Sequence, residues 1–175
     1  MTRKLDAFSL LYIIPKDFTE EEFAAACKNL EADSSDFELR AKVMGYFYYV
    51  AQNDEWQSHY VWLVENAPLD PFVGEVSANL ILDALHEDFY KNVCKLWMEQ
   101  VEKHSANPQV YLNAAAAVLI SDCAESRRLF ECAKRLEPKK PELLRFEKQL
   151  LHLERCERIW SNSEAGNSED ADSTS

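Results

Sequence analysis

Apolar residues recur at three- and four-residue spacing along most of the chain, the repeat of an amphipathic helix. After Thr19 they are Phe23, Ala26, Cys27 and Leu30. After Ser35 they are Leu39, Val43, Phe47 and Val50, and after Asp54 they are Trp56, Tyr60, Leu63 and Val64. Strict alternation, the mark of a half-buried strand, appears nowhere over a useful length. Start signals agree with this pattern. Thr19 with Glu22 and Ser35 with Glu38 have the spacing of a capping box, and Asp54 stands where it can cap the next helix. Asp70-Pro71 and Asn107-Pro108 each put an N-cap residue before a proline, whose missing N–H costs nothing in a first helical turn. Lys140-Pro141 repeats the proline without the cap. Breaks at His86-Glu87-Asp88 and Ser121-Asp122 divide the intervals between these prolines, each with an aspartate able to cap a second helix. The pattern predicts helices over 20–31, 36–52, 55–66, 71–86, 89–104, 108–120, 123–136 and 141–160.

Pro71, Pro108 and Pro141 lie 37 and 33 residues apart, the period of a helix–turn–helix repeat. Two helices approach closely only where the crossing residues are small. Residues 107–140 meet that demand with Ala114 and Ser126, with Ala117 and Ser121 at the later first-helix and turn positions. Phe130 and Ala133 fill the second helix, and Pro138 ends it. This stretch resembles a tetratricopeptide repeat. The 71–107 unit, with Ser77 or Ala78 as its small contact, and the 36–69 unit, with Gly45, resemble it more loosely. Residues 40–49 and 60–68 are also similar to uncharacterised bacterial helical-repeat proteins, a likeness that implies a fold and no activity. The expected fold is all-α: a short right-handed α-solenoid of about three helical hairpins, with a leading and a capping helix, over residues 18–160.

The two ends read differently. Arg3 and Lys4 precede the apolar run Phe8–Ile14, which is the order of a secretory leader, but Asp6 interrupts it and Pro15-Lys16-Asp17 follows without a cleavage site. The run is also far short of the roughly 20 residues that span a bilayer. Residues 1–17 are therefore expected to form an apolar segment packed on the core. Residues 161–175 hold no large apolar side chain and are expected to form a disordered acidic tail.

Charge narrows the partners. The chain of 175 residues has a formal charge of −12, which argues against a phosphate-binding surface and hence against nucleic acid. Residues 1–122 carry a net −11 and residues 123–160 a net +3. An acidic body favours a basic partner, and the basic C-terminal helix, with Arg145, Lys148, Arg155 and Arg158, could pair with a second copy. Neither a membrane nor a cofactor is implied. The five cysteines, Cys27, Cys94, Cys123, Cys132 and Cys156, are odd in number and contain no Cys-x-x-Cys pair. They read as reduced thiols of a cytoplasmic protein, not as a disulfide frame or a metal site.

No catalytic constellation is present: no glycine-rich phosphate loop, no His-Glu-x-x-His and no Gly-x-Ser-x-Gly. Glu20-Glu21-Glu22 is what a helix N-terminus favours, and His86 and His104 suit helix C-termini. Cys123, at a helix start with no base beside it, is a weak nucleophile candidate. The expectation is a protein without enzymatic activity.

The block Tyr46-Phe47-Tyr48-Tyr49 wraps more than one helix face, because successive residues turn by about 100°. Phe47 joins Val43 and Val50 on a core side, while Lys42, Tyr46 and Tyr49 share another face. The tetratricopeptide resemblance implies that the first helix of each hairpin lines a groove. On that basis Lys42, Tyr46 and Tyr49 would line it, followed by Asn79 and Asp83 and then by Tyr111 and Ala115. The competing reading packs these tyrosines against the first helix or the Phe8–Ile14 segment. The expected function is a protein-interaction scaffold offering its groove to a peptide or helix of a partner. The rival is an acidic inhibitor or immunity-type protein that covers a basic protein surface.

Overall fold

The structure is a computed structural model that describes residues 6–13, 17–79 and 87–169. The chain is all-α, and the described residues form no strand. Among the described residues a π-helical turn, Ser9–Ile13, precedes eight α-helices: α1 (Glu20–Ala32), α2 (Phe37–Tyr49), α3 (Asn53–Asn66), α4 (Pro71–Asn79), α5 (Glu87–Lys103), α6 (Pro108–Val118), α7 (Cys123–Leu136) and α8 (Pro141–Glu169).

The helix starts follow from local chemistry. The first N–H groups of a helix have no partner inside it, and side-chain oxygens supply one. The Thr19 hydroxyl accepts from the Glu22 N–H at 3.2 Å, and the Glu22 carboxylate accepts from the Thr19 N–H at 2.9 Å, closing a capping box. Asp70 accepts from Phe72, Asn107 from Gln109 and Asp122 from Glu125, each at 2.9 Å. Three starts differ from the sequence expectation, one of them because Asp88, expected to cap α5, lies inside its first turn. Asp36, not Ser35, caps α2 through the Leu39 N–H, because Ser35 is held by the Asp33 carboxylate at 3.0 Å and 2.6 Å. Asp54 lies inside the first turn of α3, and Gln52 at the N-cap makes no side-chain bond.

The α2–α3 corner explains why α2 ends at Tyr49 and not at 52. Ala51 has φ 57°, and the Gln52 N–H reaches back to the Phe47 carbonyl at 2.9 Å. That left-handed residue and long back-bond close the helix as a glycine usually does. At the other end, α8 runs to Glu169, past the 160 expected from the sequence and into the segment read as a disordered tail. Once a helix is nucleated, each further residue adds one hydrogen bond without a new nucleation cost, so apolar content alone does not set its end. Asp83 and the expected break at His86 lie outside the described residues.

Packing runs mostly between neighbours along the chain. The helix pairs in contact include α1–α2, α2–α3, α3–α5, α4–α6, α5–α6, α6–α7 and α7–α8, and the π-helical turn lies on α2. Aromatic rings tie several of them. Phe37 meets Phe72 edge-on across α2 and α4, Trp56 meets Phe89 across α3 and α5, and Phe130 stacks on Phe146 across α7 and α8. Ala7 and Leu11 are buried in the same core as Met44, Leu63, Trp97 and Leu129, so the described residues 6–13 pack on the folded body. A smaller cluster, Ala26, Leu30 and Val43, seats α1 on α2.

One polar chain crosses that core. The Trp97 indole N–H donates to the Tyr60 hydroxyl at 3.2 Å, Tyr60 donates to Ser77 at 2.6 Å, and Ser77 donates to the Val73 carbonyl at 2.7 Å. It links α5, α3 and α4. Burial pushes the Tyr60 phenol up to about 12, against the two hydrogen bonds, so the ring stays neutral. The small residues Ala114 and Ser126 let α6 and α7 approach, and the Ser126 hydroxyl donates to the Ala115 carbonyl at 2.8 Å.

Candidate functional site

Of the described residues first expected to line a groove, several have partners within the fold and one is fully buried. Tyr46 stacks on Phe23 with ring centroids 4.0 Å apart and lies near Phe18, so it packs on α1 and its flanking loop. Tyr48 meets Tyr12 and Trp56 edge-on. Lys42 pairs with Glu38 one turn earlier, at 3.1 Å. Tyr49 is 48% exposed and Tyr111 is half-buried. Ala115 is 0% exposed, which corrects its assignment to a groove: α6 is buried nearly all round, and this side faces α7. Asn79 is the last residue of α4. Asp83 lies outside the described residues.

A cavity of about 390 Å³ lies elsewhere, within the size range of small-ligand pockets. Its walls come from helices that each open on a proline. Gly74, Glu75 and Ala78 come from α4. Gln109, Leu112, Asn113 and Ala116 come from α6. Glu142, Arg145, Phe146 and Gln149 come from α8, and Asp6, Ala7 and Phe8 close one side. On α6 the lining residues Leu112 and Ala116 each stand one position after the expected Tyr111 and Ala115. One residue is a rotation of about 100° around the helix.

The inner wall is an ordered chain of amides. Asn113 Nδ2 donates to the carbonyls of Pro68 and Asp70, each at 2.9 Å. Both partners are acceptors only, so this end of the amide is the nitrogen. Asn113 Oδ1 therefore faces Gln109, and Gln109 must present Nε2, which donates to it at 2.8 Å. Gln109 Oε1 is the remaining end. It is buried and has no hydrogen-bond partner among the described residues, in a side chain only 7% exposed. An acceptor left in that state costs about 1–3 kcal/mol.

Close approach of α4 and α6 makes this arrangement possible. A Cβ on Gly74 would stand 2.9 Å from Asn113 Cγ and 3.1 Å from its Cα, and would collide with Oδ1. Glycine at 74 is thus required by space, not by backbone angle. At the rim, Arg145 of α8 faces Glu75 of α4 at 3.9 Å, with the arginine side chain 76% exposed. An ion pair so open to water holds the two helices only weakly. Behind α8, Arg127 forks onto Glu154 at 2.7 Å and 2.8 Å, and Lys134 reaches Glu147 at 2.9 Å.

A second buried polar group lies on the other side of the molecule. Arg40 stacks over Trp62 at 4.0 Å, donates to the Ser34 carbonyl at 2.7 Å and meets His59 Nδ1 at 3.1 Å. Burial first, and the guanidinium second, hold His59 below its ordinary range, so the neutral ring is the acceptor. This cluster fastens α2 to α3.

The thiols differ in their surroundings: Arg135 donates to Cys132 Sγ at 3.1 Å, and Cys156 Sγ lies 3.9 Å from His152 Nε2. Burial pushes Cys27 and Cys94 up, and Cys123 is buried at the start of α7. Among the described residues no group of three His, Cys, Asp or Glu side chains is placed to hold a metal ion, and no helix is long and apolar enough to cross a membrane.

Sequence reasoning passed over Gln109 and Asn113. Their signal was present as two amides one turn apart in a helix whose other residues are proline, tyrosine, alanine, valine and leucine. No family model, no curated protein and no solved structure matches this chain.

Proposed function

We propose that the protein is a tetratricopeptide-like helical-repeat scaffold, a short right-handed α-solenoid, which binds a segment of a partner protein in the cavity between α4, α6 and α8. The observation that carries this reading is the cavity's construction. Its walls are three helices that each open on a proline, α4, α6 and α8, and the bonded amides of Gln109 and Asn113 stand on its inner side. Apolar side chains of Leu112, Ala116 and Phe146 supply contact area, and the amides supply orientation. The scaffold is read as non-catalytic, as the sequence carries no catalytic motif.

The test is selection of a displayed library of random-sequence peptides on the immobilised full chain. An Ala78→Trp variant, which fills the cavity, and a Tyr49→Ala variant are run beside it. Peptides retained by the wild type and by Tyr49→Ala, and lost on Ala78→Trp, are the expected result. Peptides kept by Ala78→Trp would place the binding surface elsewhere, and no enrichment at all would refute the scaffold reading.

A further inference from the structure

We propose that the outer face of α8 is a second docking surface, and that its partner is an acidic amphipathic helix of another protein. Leu144, Leu151 and Ile159 are 63%, 50% and 59% exposed. They stand seven and eight residues apart, so they share one face over about 22 Å of helix. Leu143 and Leu150, one position earlier and about 100° round the helix, are buried with Phe146. One side of α8 thus seats the helix on the core, and another holds a ridge of large apolar residues in water. A single exposed leucine is ordinary, but three in register on one helix make a patch. The cavity is lined by a different side of α8, with Arg145, Phe146 and Gln149, so this surface does not rest on the cavity reading.

Charge selects the partner. Lys148 stands between Leu144 and Leu151 on this face, and Arg155 between Leu151 and Ile159. Both are exposed, and neither pairs with a carboxylate among the described residues. Their neighbours in sequence, Glu147 and Glu154, are held by α7 instead, by Lys134 at 2.9 Å and by Arg127 at 2.7 Å. Cations set within an apolar ridge are complemented by a helix that carries carboxylates between its own apolar residues. A second copy does not meet that demand. Two α8 faces laid antiparallel about Leu151 would set Lys148 against Arg155, and laid parallel would set each cation against itself. Elsewhere among the described α-helices the exposed large apolar residues are single and terminal, Tyr49 and Leu136. An anionic lipid surface fits less well, because these cations interrupt the apolar ridge and the whole chain carries −12.

The experiment uses the immobilised full chain and three displayed libraries of helix-forming peptides. Each has leucines two turns apart, with the position between them fixed as glutamate, glutamine or lysine and the rest random. Retention of the glutamate library about fivefold above the glutamine library is expected, as two exposed ion pairs allow, with the lysine library lowest. That excess should shrink as salt is raised. The paired variant Lys148→Gln with Arg155→Gln should abolish the excess, and Leu151→Gln should lower retention of both libraries. All three positions are exposed, so the thermal melt should not move. Ala78→Trp should leave retention unchanged, which separates failure of this proposal from failure of the cavity reading. Equal retention of the glutamate and glutamine libraries would overturn the proposal, as would no retention of any library. Binding of the full chain to phosphatidylserine vesicles, lost in the paired variant, would overturn it by giving the face to lipid. A sedimenting dimer that Leu151→Gln dissolves would overturn it by giving the face to a second copy.

Discussion

Replacing Tyr60 by phenylalanine removes one oxygen from the centre of the fold. The ring stays, so packing is nearly preserved and the loss isolates the hydrogen bonds. Tyr60 accepts from Trp97 and donates to Ser77, and both neighbours lie in the core with 0% and 2% exposure. The Tyr60–Ser77 bond contributes about 1 kcal/mol, and the stranded Trp97 N–H costs a further 1–3 kcal/mol, so the substitution should destabilise by about 2–4 kcal/mol. Ser77→Ala strands the Tyr60 O–H instead and should cost about 2 kcal/mol. The two effects are not independent. In the double variant no Tyr60 O–H remains to be stranded, so it should be about 1–2 kcal/mol more stable than the summed single losses predict. Urea unfolding followed by circular dichroism, with the denaturant slope unchanged, measures all three. Additivity within about 0.5 kcal/mol would show that the two hydroxyls do not act as one chain.

Two further predictions concern the α2–α3 region. Ala51→Gly should raise stability by about 0.5–1 kcal/mol, because glycine adopts the left-handed backbone of Ala51 without a Cβ clash, at some cost in chain entropy. A lowered urea midpoint would contradict the corner geometry. His59 titrates below its ordinary 6.5 in the fold. The unfolded chain therefore binds the proton first as the pH falls, and stability is complete above about 6.5 and declines below it. Urea melts at pH 7.5 and pH 5 should show a larger acid loss for the wild type than for His59→Gln, and equal losses would remove His59 from the account.

The helices were legible because their signals are local. Proline at a first turn, with Asp70 or Asn107 before it, fixes a start within a few residues whatever lies around it. The face that each helix turns to its neighbours is a different kind of fact. A stripe of apolar residues reveals it only when the opposite side is polar. In α6 every residue from Leu112 to Val118 is buried, so the alanine run carries no stripe and the angle of view was free to slip by one residue. The tyrosines left two readings open for a related reason. A large amphipathic ring suits an interface and a half-buried helix contact equally, and Phe23, supplied by another helix, decides for Tyr46. The amide at 109 is a further case: Gln109 lies buried where α4, α6 and α8 line one cavity. Its meaning comes from three segments far apart in the chain, and that is why no window of sequence contained it.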